Sequence, residues 1–379
     1  MKKVFLILLL ISSTLFFASN YEQVAVKFIQ YLSDQDFEKA QQMASQILLN
    51  LLKQSNFTLE SFWRSLIQQT GDFKEILRVQ STVEQGYNVV FAGCEFEKMR
   101  LDIKIVFDQH EKIVGLQFLP YVEERTYTIP TYVKVDRFTE IDCLIENKQW
   151  KLPAVLTLPE GEGPFAAVIL VHGSGPNDKD ESIGPNKPFK DIAWGLASNK
   201  IAVLRYDKRT KVYPEEFANI MNIFTINDET VDDAIAAIDL LRQIDKIDEK
   251  SIFILGHSLG ATMAPRIATR SEHLAGIIML APTARGLYIL NALDQLEYIS
   301  LLDGSINESE SKQLQYIKKQ LERIQERQLE DDEVIFGMYK AYWYDLLEYD
   351  PVGVTISLDI PVLIMQGARD YQVTMKDFE

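Results

Sequence analysis

One pentapeptide, GHSLG at residues 256–260, constrains the fold of this chain more than any other feature. It follows an apolar run at 251–255 and opens a stretch, 259–270, whose apolar residues recur at helical spacing. A Gly-X-Ser-X-Gly sequence between a strand and a helix is typical of a sharp turn that exposes a serine hydroxyl above an α/β sheet. Its glycines avoid side chains that would collide with the adjacent strand and helix. The sequence therefore predicts that Ser258 is a nucleophile.

Apolar runs alternate with amphipathic helical patterns from about residue 136 to the end of the chain. Buried strands are predicted at 165–171, 201–206, 252–255, 275–280 and 361–366, and helices near 187–199, 228–245 and 259–270. Two earlier runs, 138–145 and 152–158, are expected to form a strand pair. This alternation predicts the α/β class, with a mostly parallel sheet and helices on both faces.

Residues 286–350 interrupt the alternation with two amphipathic helical patterns. The second, near Val334–Leu347, is rich in aromatic residues, and we expect the segment to form a helical lid whose aromatics line an acyl pocket. A helical pair that only packs on the body is the alternative. Residues 20–120 change from helical spacing to strand alternation near residue 70, which predicts a small α+β domain. The remaining domain then spans 121–379.

A second motif, HGSGP at residues 172–176, follows the strand predicted at 165–171. Its small residues allow backbone N–H groups to approach a substrate carbonyl oxygen. We expect an oxyanion hole made by the N–H of Leu259 and the N–H of either Gly173 or Ser174. The motif lacks the Gly-Lys-Ser/Thr ending of a phosphate-binding loop.

A catalytic triad also needs an acid and a base. The glycine turn after the last apolar run leads to Asp370, which we predict to be the triad acid that orients the base. On this fold the histidine follows the acid in the chain. None of the four histidines, His110, His172, His257 and His273, does so. We therefore expect that the third triad member is absent from this chain and that the chain is C-terminally truncated.

Charge and cysteine content narrow the possible partners. The chain has 55 acidic and 39 basic residues and a formal net charge of −16, which disfavours nucleic acid and anionic lipid as partners. No group of cysteines and histidines has the spacing of a metal site, so we expect neither metal nor cofactor. Cys94 and Cys143 fall in different predicted domains, and we expect buried free thiols rather than a disulfide.

The first residues resemble an export signal. Lys2 and Lys3 precede an apolar stretch at 4–17, and small residues follow it. This order is typical of a signal peptide, and the apolar stretch is shorter than the roughly 20 residues that span a bilayer. We therefore expect residues 1–19 to direct export to an extracytoplasmic location. An uncleaved N-terminal anchor is the alternative and would be the only membrane association.

Several separated motifs agree in their order with one known family. The stretch 172–191, the segment RYDKRT at 205–210, the pentapeptide and GARD at 367–370 together resemble the EstD-like bacterial esterases. These belong to the α/β-hydrolase superfamily, near its serine aminopeptidase-like branch. The N-terminal domain resembles DUF3887, an NTF2-like α+β module. The resemblance implies Ser258 as nucleophile, Asp370 as acid and a histidine that this chain lacks.

The leading hypothesis is a carboxylic ester hydrolase that acts on a small-molecule ester through a serine acyl-enzyme. A serine aminopeptidase or acyl-peptide hydrolase, using the same site on amides, is one alternative. A non-catalytic extracytoplasmic binding protein is another. Because the base is missing from the sequence, we expect this chain to be weakly active or inactive.

Overall fold

The computed structural model describes residues 20–379 except 55–56, 85–86, 109, 124–126, 184–185, 273, 286–288, 302–305 and 307. The predicted signal peptide and His273 therefore lie outside the described residues. The chain divides into two compact units, residues 1–125 and 126–379. In the described ranges, every helix is too short or too polar to cross a membrane.

The first unit consists of helices followed by an antiparallel meander. Its elements are α1 (Asn20–Ser33), α2 (Phe37–Met43), α3 (Gln46–Gln54), α4 (Leu59–Thr70), β1 (Phe73–Glu84), β2 (Tyr87–Phe96), β3 (Arg100–Phe107) and β4 (Ile113–Pro120). The strands pair in chain order, each antiparallel to the next. Helix α4 begins after Thr58, whose hydroxyl accepts the Ser61 N–H as an N-cap. The predicted α+β class of this unit is confirmed.

Cys94 and Cys143 are both free thiols, and the expected burial holds for Cys94 but not for Cys143. Cys94 lies on β2 and is fully buried in the core of the first unit. Burial raises the pKa of its thiol to about 12, so the thiol is protonated and unreactive at neutral pH. Cys143 is only partly buried, in the second unit.

A mostly parallel sheet organises the second unit. The unit's strands are β5 (Phe138–Asn147), β6 (Trp150–Pro159), β7 (Phe165–Val171), β8 (Ala202–Tyr206), β9 (Ile247–His257), β10 (Gly276–Leu280), β11 (Val334–Ile335), β12 (Met338–Tyr339) and β13 (Val362–Met365). Seven of them form one sheet in the order β13-β10-β9-β7-β8-β6-β5, while β11 and β12 form a separate hairpin. Only the β5–β6 and β6–β8 pairs of the large sheet are antiparallel.

Helices cover both faces of this sheet. The α-helices of the unit are α5 (Pro188–Ala197), α6 (Arg209–Val212), α7 (Pro214–Ile220), α8 (Asp232–Leu241), α9 (Leu259–Arg270), α10 (Ile289–Ser300), α11 (Glu308–Gln325), α12 (Lys340–Leu347), α13 (Pro351–Ile356) and α14 (Met375–Phe378). Along β7, Ile169 packs in the core that includes α8 and α9, whereas Val168 and Leu170 pack in the core that includes α5. This alternation is the two-residue period of a strand buried on both sides. The predicted fold class is confirmed.

Two local predictions were wrong. The aromatic segment Val334–Leu347 is not one helix, because it begins with the β11–β12 hairpin and only then enters α12. The turn residues Phe336 and Gly337 both have positive φ, at 49° and 81°, which suits a tight hairpin and excludes a helix. Strand β13 was expected to be buried, but its residues Leu363 and Met365 are about half exposed. The reason is position, since β13 lies at the edge of the sheet beside β10.

Candidate active site

Ser258 lies in the turn between β9 and α9 and has a backbone conformation that side chains rarely adopt. Its φ is 50° and its ψ is −113°. The two flanking glycines explain how the turn closes. A Cβ on Gly256 would lie 2.3 Å from the carbonyl oxygen of Gly260, and a Cβ on Gly260 would lie 2.2 Å from the carbonyl oxygen of Val171. Both obstacles are backbone atoms, so only glycine fits either position. The strand, turn and helix that the pentapeptide predicts are all present.

The backbone of Ser258 is held on both sides. Its N–H donates to the carbonyl oxygen of Leu280 at 2.8 Å, and its own carbonyl oxygen accepts the Thr262 N–H at 2.9 Å. The residue opens onto a pocket of about 140 Å³. Most of the side chains around the pocket are polar. The lining residues are Ser174, Ser258, Leu259, Thr262, Thr283, Asn291, Gln295, Gln372 and Val373.

The N–H groups of Gly173 and Ser174, the two alternatives for the second oxyanion donor, differ in their hydrogen bonding. The Gly173 N–H already donates to Glu181 Oε1 at 2.8 Å. The Ser174 N–H has no acceptor within the part of the chain that the structure describes, and Ser174 lines the pocket. Leu259 is the first residue of α9, where backbone N–H groups have no partner inside the helix. Ser174 and Leu259 are therefore the predicted donors whose N–H groups remain available, and their role in an oxyanion hole stays a prediction.

Glu181 connects the two loops that carry these donors. Its Oε1 accepts the Gly173 N–H, and its Oε2 lies 3.0 Å from His257 Nδ1. The Glu181 contact raises the pKa of His257, against the opposing effect of burial, and the charge of Asp370 adds to the rise. Glu181 itself has φ 49°, a strained conformation for a residue with a side chain. Sequence reasoning missed Glu181, since no spacing rule brings a loop carboxylate to the residue before a nucleophile.

The histidines that the structure describes do not supply a base to Ser258. His110 lies in an exposed turn of the first unit. His172 is buried between the rings of Phe189 and Tyr206, at 5.0 and 5.1 Å, and burial lowers its pKa to about 4. His257 pairs with Glu181. Among the described histidines, none is hydrogen-bonded to the Ser258 hydroxyl.

Asp370 lies in the turn that follows β13. Its Oδ1 accepts the backbone N–H groups of Gln372 and Val373 at 2.9 and 3.0 Å. Asp370 therefore shapes the turn whose residues Gln372 and Val373 line the Ser258 pocket. The structure brings the predicted acid to the loop beside the nucleophile, while its role as triad acid stays a prediction.

The insertion contributes to the pocket through a different helix from the one expected. Asn291 and Gln295 of α10 line the pocket, whereas the aromatic residues of α12 do not. Tyr342 and Trp343 are buried in the core instead. The Trp343 Nε1–H donates to the carbonyl oxygen of Ile335 at 3.0 Å, which fixes α12 to the hairpin before it. The expected aromatic lining is therefore wrong for the described residues, and movement of the insertion as a lid stays a prediction.

The described residues include no group of three or more His, Cys, Asp or Glu side chains arranged to hold a metal ion. The pocket itself is lined mostly by hydroxyl and amide side chains, and the carboxylates of Glu181 and Asp370 lie in the loops around it.

Comparison with known proteins agrees with this geometry. The family model described as serine aminopeptidase, S33, matches residues 162–377, and the model described as a protein of unknown function (DUF3887) matches residues 25–116. The chain is 39% identical to Esterase EstD of Thermotoga maritima over 360 residues, which cover 95% of this chain and 82% of that protein.

Solved structures are similar at lower identity. A Pyrococcus furiosus esterase matches at 18% identity and a TM-score of 0.41, over 64% of this chain and 74% of its own. The 2,6-dihydroxy-pseudo-oxynicotine hydrolase matches at 18% identity and a TM-score of 0.40, over 63% of this chain. The present chain spans 55% of the length of that hydrolase. Since the family model spans more than half of the chain, the chain belongs to the serine aminopeptidase S33 family of α/β-hydrolases, with a DUF3887 domain before the hydrolase domain.

Proposed function

We propose that this protein is a carboxylic ester hydrolase that works through an acyl-enzyme on Ser258. The observation that carries the proposal is the strained Ser258 turn, which opens onto a pocket shared with Ser174 and Leu259. The 39% identity to an esterase over nearly the whole chain supports ester hydrolysis as the activity.

The reaction follows from this arrangement. Ser258 Oγ attacks the ester carbonyl carbon while a general base takes the hydroxyl proton, and the carbonyl π electrons move to the oxygen. The N–H groups of Leu259 and Ser174 bind the oxyanion, and one such donor typically contributes about 3 kcal/mol to transition-state stabilisation. The C–O bond to the alcohol then breaks, and the alcohol leaves with the proton. Water releases the acid from Ser258 by the same steps.

Asp370 is proposed to orient the base and to stabilise it when it is charged. Because the described histidines do not reach the Ser258 hydroxyl, we expect slow turnover from this chain. Loss of one triad member typically leaves an acceleration of about 10³- to 10⁴-fold over water, which comes from the oxyanion hole and binding. A weak but serine-dependent activity is therefore the expected result.

The description of the family as serine aminopeptidase favours amide hydrolysis as a second candidate. The same nucleophile and donors would attack an amide carbonyl, with an amine as the leaving group. A protein that binds a ligand without turning it over is the third possibility, and the experiment below distinguishes all three.

The test measures hydrolysis of p-nitrophenyl acetate and of alanine p-nitroanilide by the full chain. Ser258→Ala should abolish release of p-nitrophenol. Ser271→Ala is the matched control, because Ser271 lies at the opposite end of α9, and it should keep the rate. Ester hydrolysis that survives Ser258→Ala would contradict the proposal. Serine-dependent hydrolysis of the anilide alone would favour the peptidase, and hydrolysis of neither would favour the binding protein.

A further inference from the structure

We propose that Lys208 is a positioning residue that aims the Ser174 N–H into the pocket, and that Glu229 and Tyr342 hold Lys208 in place. The inference rests on the proposed function, since it concerns the oxyanion hole of the same site. It goes beyond that function by assigning a role to a buried cation and to a residue of the helical insertion.

The contacts form a continuous buried chain from α12 to the loop at residues 172–176, which we call the oxyanion loop. Lys208 Nζ donates to the carbonyl oxygen of Gly173 at 2.7 Å and to Glu229 Oε1 at 2.6 Å. The other carboxylate oxygen of Glu229 accepts the Tyr342 hydroxyl at 2.6 Å. Lys208, Glu229 and Tyr342 are each at most 2% exposed, so water does not compete with these bonds.

The orientation of one peptide group explains why the Gly173 carbonyl matters. The Gly173 carbonyl and the Ser174 N–H belong to the same peptide unit, and in a trans peptide they point in opposite directions. When Lys208 holds the carbonyl on one side, the N–H must point to the other side. Asn177 Nδ2 adds a second donor to the same carbonyl at 3.2 Å. The preceding peptide is held as well, because its N–H, that of Gly173, donates to Glu181.

A contribution to stability alone does not explain why a lysine occupies position 208. A buried ion pair is costly to desolvate, and apolar residues of similar volume often replace such a pair without loss of stability. An apolar side chain at 208 could fill the space but could not bind the Gly173 carbonyl. The neighbouring buried pair, Arg209 with Asp233, provides the contrast. Arg209 packs on the ring of Trp150, and among the described residues neither member of the pair hydrogen-bonds to a residue that lines the pocket.

The hydroxyl of Tyr342 extends the chain of contacts to the insertion. The ring of Tyr342 stacks on Phe224 at 6.3 Å with an interplanar angle of 4°, and its edge contacts Trp343. The position of α12 therefore fixes Glu229, and through it Lys208 and the oxyanion loop. In this view α12 acts as a support for the oxyanion hole rather than as a wall of the pocket.

The decisive variant replaces both charges, Lys208→Met with Glu229→Met, because a lone Lys208→Met would leave a buried carboxylate unpaired and could unfold the protein. The double variant should fold, as judged by its thermal midpoint. Its kcat for p-nitrophenyl acetate should fall about 10- to 100-fold with KM changed by less than about 2-fold, since the loss falls on the transition state. Tyr342→Phe should lower kcat by a smaller factor.

The matched control, Arg209→Met with Asp233→Leu, removes an equally buried pair from the adjacent position and should keep kcat. A readout independent of catalysis is amide hydrogen exchange at residues 172–177, which should speed up at least about tenfold in the Lys208 double variant and not in the control.

Three outcomes would overturn the inference. They are a folded double variant with the wild-type kcat and exchange rate, a rise in KM without a fall in kcat, and equal losses in the control. A wild-type kcat in Tyr342→Phe would remove the link to the insertion. Failure of the proposed function is a separate result, because it appears as hydrolysis that survives Ser258→Ala. The exchange measurement would then still decide whether Lys208 positions the loop.

Discussion

Two histidines beside the candidate nucleophile have pKa values shifted in opposite directions. Burial lowers the pKa of His172 to about 4, whereas the Glu181 contact raises the pKa of His257. His172 is therefore neutral near pH 7, and its role is to fill the space between Phe189 and Tyr206. His257 instead contacts Glu181, whose carboxylate joins the two loops of the site.

The His172 shift predicts how stability depends on pH. Between pH 6.5 and about 4 the unfolded chain binds a proton at His172 that the folded chain does not, so the free energy of unfolding falls as pH falls. The expected loss is about 3 kcal/mol, complete near pH 4. His257 does not hide this loss of stability. Because the pKa of His257 is raised in the folded protein, its contribution to the free energy of unfolding is fully present below pH 6.5 and is lost only as the pH rises above that value.

Urea denaturation of the wild type and of His172→Asn, at pH values of about 7, 5.5 and 4.5, measures this effect. The variant should lose about 2.4 kcal/mol less than the wild type between pH 7 and pH 4.5, because the full loss of about 3 kcal/mol is reached only near pH 4. If the free energy of unfolding had the same pH dependence in both proteins, His172 would be protonated equally in the folded and unfolded states, and the prediction would be wrong.

Among the site residues, the sequence predicts those whose position depends only on their neighbours in the chain. Ser258, its flanking glycines and Leu259 are determined by one turn, and the structure gives that turn the expected strand–turn–helix form. Glu181 and Lys208 could not be found in this way. Both contact Gly173, which is 8 residues before Glu181 and 35 residues before Lys208 in the chain. The folding of the loops brings these residues together, and no pattern in the sequence predicts the contacts.

At the scale of elements, regular periodicity was a reliable guide and turn geometry was not. Strand β7 and helix α9 have the bounds that their apolar patterns predict. The β11–β12 hairpin was missed because its aromatic residues also fit helical spacing, and only the positive φ of Phe336 and Gly337 distinguishes the two. The exposure of β13 depends on which strands lie beside it, and an apolar run alone does not contain that information.

Helix α14 is tied to the pocket wall by one buried carboxylate. Asp377 accepts hydrogen bonds from the Thr283 hydroxyl at 2.9 Å, from Arg285 Nη2 at 2.7 Å and from Asn291 Nδ2 at 2.9 Å. Burial alone would raise the pKa of Asp377, but the bonds from Arg285 and Thr283 outweigh it and lower the pKa. Asp377 is therefore ionised at neutral pH, and it fixes the two pocket residues Thr283 and Asn291.

Asp377→Asn should loosen this wall, because the amide keeps the shape but loses the charge opposite Arg285. We expect a loss of about 2–4 kcal/mol in the free energy of unfolding, with faster amide exchange in α10. Glu146→Gln is the control, since its pair with Lys151 is more than 60% exposed and should contribute less than about 1 kcal/mol. Equal effects of the two changes would mean that Asp377 does not hold α10.

At the scale of the whole molecule, each compact unit has a hydrophobic core of its own. The first core gathers Trp63, Phe96 and Phe107 beneath helices α1 to α4. The second unit buries residues on both faces of its large sheet, with Trp343 in the larger of its two clusters. Apolar residues make up 47% of the chain, which is sufficient for separate cores despite the net charge of −16.

Because the cores are separate, we predict that a substitution in one core destabilises only the unit that contains it. Trp63 is 3% exposed and contacts the rings of Phe73, Phe96 and Phe118 at 6.1–6.5 Å. Trp63→Ala should lower the free energy of unfolding of the first unit by about 3–5 kcal/mol. Amide exchange, followed peptide by peptide, should show lost protection within residues 20–125 and none within 126–379, with the Ser258-dependent rate unchanged.

The reciprocal change, Trp343→Ala, removes a fully buried side chain from the second unit and should give the opposite pattern. Because Trp343 packs edge-on against Tyr342, it should also lower kcat through the oxyanion loop, which Trp63→Ala should not do. If either substitution lowered amide protection in both units, the two cores would unfold as one cooperative body. The independence inferred from their separate packing would then be wrong.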